Sequence, residues 1–141
     1  MLLPSCAPEK VQAPVRAPVT VASNVSRKKI DPFTIKPTPE QQAKAEAATD
    51  AYFRAMRKTI VELDDGRTSP DVIGRAAVSQ NIILLREKVV AQSIHFKEES
   101  WIGEEVVNEK LAKLPESGDF DMATSMVLKL RQISATKTVG E

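Results

Sequence analysis

From Thr38 onward the apolar positions of this chain recur at intervals of three and four, and before it they do not. Ala45, Ala48, Tyr52, Met56, Ile60 and Leu63 form the first such series, which predicts a helix with one core-facing stripe. Thr38-Pro39-Glu40-Gln41 opens it with a capping threonine, a proline at the first helical position and a glutamine at the third, the capping-box pattern. Asp64-Asp65-Gly66 closes it, the glycine supplying the left-handed residue that ends a helix without steric cost.

A second helix is expected from Ser69-Pro70 onward, and its pattern is different. Val78, Ile82, Leu85, Val89 and Phe96 make one stripe; Ala76, Ile83, Val90 and Ile94 make another about 120° away; Ile73, Ala77, Leu84 and Ala91 make a third. A helix apolar on several sides must be covered on several sides, so it is either the central helix of a bundle or part of a subunit contact. The short link Gly66-Arg67-Thr68 makes the two long helices an antiparallel hairpin. Ser100-Trp101-Ile102-Gly103 marks a bend or restart, and Glu104 to Leu114 reads as a shorter helix using Val106, Val107, Leu111 and Leu114. Glu116-Ser117-Gly118 is a turn. Asp119 then caps a last helix with Phe120, Ala123, Met126 or Val127, Leu130 and Ile133 at the helical period. Residues 135–141 read as a frayed polar tail. The fold class expected is therefore all-α: a small bundle made of a long antiparallel hairpin plus two shorter helices, over residues 38–134.

The front of the chain changes the picture. Seven of nine prolines lie within residues 1–39, and each removes a backbone donor and biases its predecessor away from the α region. Residues 1–37 therefore read as an extended, proline-rich arm, with Phe33 and Ile35 on one side of a strand-like segment as its anchor. Charge divides the same way. Residues 1–39 carry six bases against two acids, net +4, and the rest carries 14 bases against 17 acids, net −3. A basic arm on a mildly acidic body suits docking on another subunit or on an anionic polymer. Hydrophobic residues at 42% with only 4% aromatics imply a core of aliphatic side chains and alanine.

The residue inventory narrows the chemistry. One histidine, His95, and one cysteine, Cys6, do not make a Cys–His pair, a disulfide framework or a histidine-rich metal site. His95 is expected to be partly exposed near a helix C-terminus, where a positive imidazolium is favoured. Five isolated glycines form no phosphate-cradling loop, and Gly74, inside a helix, either lets another backbone approach closely or only softens the first turns. Asp64-Asp65, Glu98-Glu99 and Glu104-Glu105 are adjacent pairs that point about 100° apart on a helix, unlike a catalytic carboxylate pair. The expectation is a protein without enzymatic activity, cofactor or metal. No run of about 18 apolar residues is present to cross a membrane, and no 7–15-residue apolar stretch of a secretory signal opens the chain. The acid-poor first 30 residues keep an organelle transit peptide open.

The layout of extended arm and helical body is similar to that of coat and nucleocapsid subunits, components of large multiprotein particles and secretion-apparatus subunits. The expectation is a structural or assembly subunit whose partners are other subunits or copies of itself. Its contacts would run through Phe33, Ile35, Ile73, Leu84 and Trp101, with the arm ordering on a neighbour. A second reading is RNA or DNA packaging, with Arg27, Lys28 and Lys29 on the arm and Arg54, Arg57 and Lys58 on the first helix as phosphate contacts. A third is a helical adaptor or regulator of an enzyme complex.

Overall fold

Thr38 caps the first helix as its sequence position predicts. Its hydroxyl accepts the Gln41 N–H at 3.2 Å, and the Gln41 side-chain oxygen accepts the Thr38 N–H at 2.9 Å, an arrangement that stabilises a helix start by about 1 kcal/mol. The computed structural model describes Ile30, Asp31 and residues 34–140. Among these it contains five helices and no strand: α1 Pro39–Leu63, α2 Pro70–Gln80, α3 Ile82–Glu99, α4 Trp101–Ala112 and α5 Ser117–Val139.

The α1–α2 turn follows from its residues. Gly66 takes φ +70°, Asp64 accepts the Gly66 N–H at 2.9 Å, and Asp65 accepts the Arg67 and Thr68 N–H groups at 2.9 and 2.7 Å. Beyond it the chain returns along α1. Asn81 donates to Thr59 Oγ1 at 2.9 Å, Gln92 to Thr49 Oγ1 at 3.2 Å and Gln41 to Glu98 at 3.0 Å, so positions fall along α1 as they rise along α3. The hairpin is antiparallel.

Its second arm is two helices rather than one. Asn81 sits at φ −107°, ψ 22°, and its N–H is shared between the Ala77 and Val78 carbonyls at 3.1 Å each. Its side chain donates back to Ala77 O at 2.9 Å as well as across to Thr59. A short amide that bonds its own backbone competes with the helical ladder, and here a tertiary partner holds it in that state.

Three further boundaries depart from expectation. Ser100 is extended at φ −148°, ψ 136° and fully buried, and α4 starts at once with Trp101, three residues early. Its hydroxyl donates to the Ile30 carbonyl at 3.1 Å, which ties the start of the described chain to this junction. Asp119 is not the cap of α5 but its third residue; Glu116 is the cap, and Asp119 accepts the Glu116 N–H at 2.9 Å. The last helix continues through Val139 instead of ending near 134.

α5 packs against α2 in the opposite direction. A Cβ on Gly74 would lie 2.8 Å from Thr124 N and 3.1 Å from the Ala123 carbonyl carbon, so the close backbone approach anticipated for this glycine is present. Gly103 does the same at the α3–α4 turn, where a Cβ would overlap the Phe96 carbonyl.

The core gathers Tyr52, Met56 and Ile60 of α1, Ile73, Ala77 and Val78 of α2, Leu85 and Val89 of α3, and Ala123 and Val127 of α5. Burying each large aliphatic side chain contributes roughly 1.5–3 kcal/mol. Leu111, Leu114, Phe120 and Leu130 close its margin. Leu63, Val106 and Ile133, expected inside, are exposed.

Candidate interaction surfaces

The residues singled out from the sequence separate on the fold. Arg27, Lys28, Lys29 and Phe33 lie outside the described residues, together with most of the arm. Ile35 is half-buried. Ile73 is 3% exposed and belongs to the core, which removes it from any docking surface of this fold. Leu84 packs on the core margin. Trp101 stays 43% exposed at the start of α4. Arg54, Arg57 and Lys58 are exposed on α1, Lys58 facing Glu62 at 4.0 Å.

Of the three stripes expected on the second helix, two face the core and one lies at the surface, with Ile83 exposed and Val90 and Ile94 half-buried. Val78, Leu85 and Val89 are buried, as are Ile73 and Ala77. The stripe of Ile83, Val90 and Ile94 is not: with Ala91 it floors an open groove on α3, rimmed by Arg86 and Glu87 of the same helix and Lys44 of α1. Ile83 is 70% exposed. From Ile83 to Ile94 the stripe runs about 16 Å along the helix.

A second open surface follows the seam between α1 and α5. These helices run in the same direction, Arg57 lying beside Met126 and Asp64 bonding Arg131 seven residues further along. Arg57, Met126, Lys129, Leu130 and Ile133 line one stretch of the seam, and Asp50, Phe53, Arg54 and Arg57 the next. At its far end Arg131 donates to Asp64 Oδ1 at 2.7 Å and to the Thr68 carbonyl at 2.6 Å. That guanidinium holds the Asp64 carboxyl below the usual carboxylate range, and the Thr68 and Arg67 N–H groups pull Asp65 down to about 2. The sequence carried no sign of the Asp64–Arg131 pair, which joins residues 67 apart.

Burial shifts the titration of three further groups. Burial, with the Asp119 charge adding to it, pushes the Tyr52 hydroxyl up to about 12. Lys88 sits with Nζ 5.2 Å from both the Tyr52 and Phe53 ring centres, and desolvation lowers its pKa while Asp119 opposes the shift. His95 is buried, not exposed, with its ring 3.9 Å from that of Phe96. Desolvation lowers its pKa, so it favours the neutral form, the reverse of the charged helix-end histidine expected.

Among the described residues no group of three or more His, Cys, Asp or Glu side chains is placed to hold a metal ion, and no helix is long and apolar enough to cross a membrane. No protein-family model, curated protein or solved structure matched the chain. Function is therefore argued from the two open surfaces.

Proposed function

We propose that this protein is a non-enzymatic structural subunit of a larger assembly, and that the outer face of α3 is its contact with a second copy of the same chain. The observation that carries the reading is the open groove on α3 floored by exposed Ile83 and by half-buried Val90, Ala91 and Ile94. An apolar strip of this length on a stable helix is favourable only when something covers it.

The spacing of the stripe supports a second copy as the neighbour. A two-fold axis crossing α3 between positions 86 and 87 runs the two helices antiparallel and lays Ile83 on Val90 of the second copy, and Val90 on its Ile83. A patch that is its own complement is what a two-fold contact requires.

Light scattering on the purified full chain tests this, run across a concentration series beside Ile83→Glu. The expected result is a mass above the monomer for the native chain, and a folded monomer, by circular dichroism, for the variant. A native chain that stays monomeric at several hundred micromolar, or an Ile83→Glu protein that assembles equally well, overturns the reading. A monomer that binds a different protein in a 1:1 ratio would make it an adaptor instead.

A further inference from the structure

The α1–α5 seam has a chemistry of its own, independent of α3. Its floor is apolar: Met126, Leu130 and Ile133 of α5 line it, with Phe53 of α1 in the adjoining stretch. Its flanks carry Arg54 and Arg57 on one side and Lys129 on the other. Among the described residues these three cations make no ion pair and no side-chain hydrogen bond. The carboxylates facing the seam do not answer them. Asp64 is taken by Arg131 and Asp65 by its own turn, and Asp50, one turn before Arg54, stands at the end of the groove without pairing.

We infer that this seam binds an amphipathic helix with acidic flanks, supplied by a different protein. Two helices lying side by side in the same direction leave a furrow that a third helix fills. Phe53 to Leu63 spans eleven residues of α1, about 15 Å, or about three turns of an incoming helix. Apolar side chains of that helix at three- and four-residue spacing would sit on Met126, Leu130 and Ile133. Carboxylates on both its flanks would meet Arg54 and Arg57 on one wall and Lys129 on the other. Such rim pairs set orientation and speed encounter more than they add affinity, and like charges there disfavour the wrong partner.

The floor also separates this partner from nucleic acid, for which Arg54 and Arg57 were first considered. A strand of nucleic acid needs flat faces on which bases stack, and the seam offers Phe53 alone among Met, Leu and Ile.

The test uses the full chain and a fluorescein-labelled synthetic peptide of about 18 residues, with leucine at helical three- and four-residue spacing and glutamate at the flanking positions. A second peptide has lysine in place of every glutamate, and a third probe is single-stranded oligo-dT. Fluorescence anisotropy should report binding of the glutamate peptide, weakened tenfold or more by Arg57→Glu/Lys129→Glu, with about 1.4 kcal/mol for each tenfold. The lysine peptide should not bind the native chain. Ile133→Asp, also on the surface, should weaken the glutamate peptide while leaving the helical signal unchanged. Failure of the glutamate peptide to bind overturns the inference, as does equal binding of the two peptides, or binding indifferent to both variants. Binding of oligo-dT that is tighter than the peptide and lost in Arg57→Glu/Lys129→Glu overturns it in favour of nucleic acid.

Discussion

α2 and α3 follow one another with a single residue between them, and their surroundings are opposite. α2 buries Ile73, Gly74, Ala77 and Val78 and leaves only Val72 among its large apolar side chains in water. α3 buries Leu85 and Val89, leaves Ile83 in water and covers Val90 and Ile94 only in part. The cause is the route of the last helix. α5 lies so close on α2 that only a glycine fits at 74. α4 leaves from the far end of α3, where Gly103 lies against the Phe96 carbonyl, beyond the end of the stripe. Apolar content along a helix thus states how much must be covered, whereas the path of the neighbours decides what is covered within the chain and what is left for another.

The sharpest way to break this contrast is to put a charge on each side of it. Ile73→Asp should abolish the cooperative unfolding transition, because an unpaired carboxylate in the core exceeds what marginal stability tolerates. Ile83→Asp should leave the monomer folded. With alanine in place of the charge, Ile73→Ala should cost about 2–5 kcal/mol and Ile83→Ala no more than about 0.5 kcal/mol, read from urea midpoints at a concentration where the chain is monomeric. Comparable losses at both positions would mean that Ile83 is covered within the chain.

Gly74→Ala refines the α2 side. Helix propensity alone favours alanine by about 0.5–1 kcal/mol, but the new methyl meets backbone of α5. The expected outcome is a net loss of about 1–3 kcal/mol; a gain would mean that α5 stands further from α2 than described.

Two titrations probe the packing around the core at smaller scale. Tyr52 has its folded pKa raised to about 12, so the folded state holds the proton more tightly than the unfolded chain. Stability is then fully present below about pH 10 and falls as pH rises towards 12. Tyr52→Phe should flatten that slope in alkaline melting curves. The Asp64–Arg131 pair acts in the other direction. A depressed folded pKa means that its contribution is present above the ordinary carboxylate range and is lost as pH falls through the lowered value. Arg131→Met should therefore destabilise at pH 7, and the gap from the native chain should close in strong acid.

How much of this was legible in the sequence differs by element. The start of α1 and its stop at Gly66 each rest on a residue whose local chemistry has few alternatives, whereas Gly74 left a close approach and a softened first turn both open until α5 was in place. The break at Asn81 was hidden, because no glycine or proline marks it and the amide is held by Thr59, 22 residues away. Ile83, Val90 and Ile94 were visible as a stripe, yet three stripes on one helix rank equally until α4 and α5 are in place. For that reason Ile73, a core residue, was grouped with surface candidates, and Ile83 was not. The early start of α4 at Trp101 had a cue in Ser100, whose side chain satisfies a backbone carbonyl from the far side of α1.

The central claim is that α3 meets a second α3 antiparallel across a two-fold axis that lays Ile83 on Val90, and mixing two oppositely charged chains tests it most directly. Ile83→Glu alone and Val90→Arg alone should each be monomeric by light scattering, since each sets an unpaired charge against an apolar side chain across the axis. An equimolar mixture should restore a 1:1 complex with the mass of the native assembly. Single variants that assemble as the native chain does, or a mixture that remains two monomers, would contradict it.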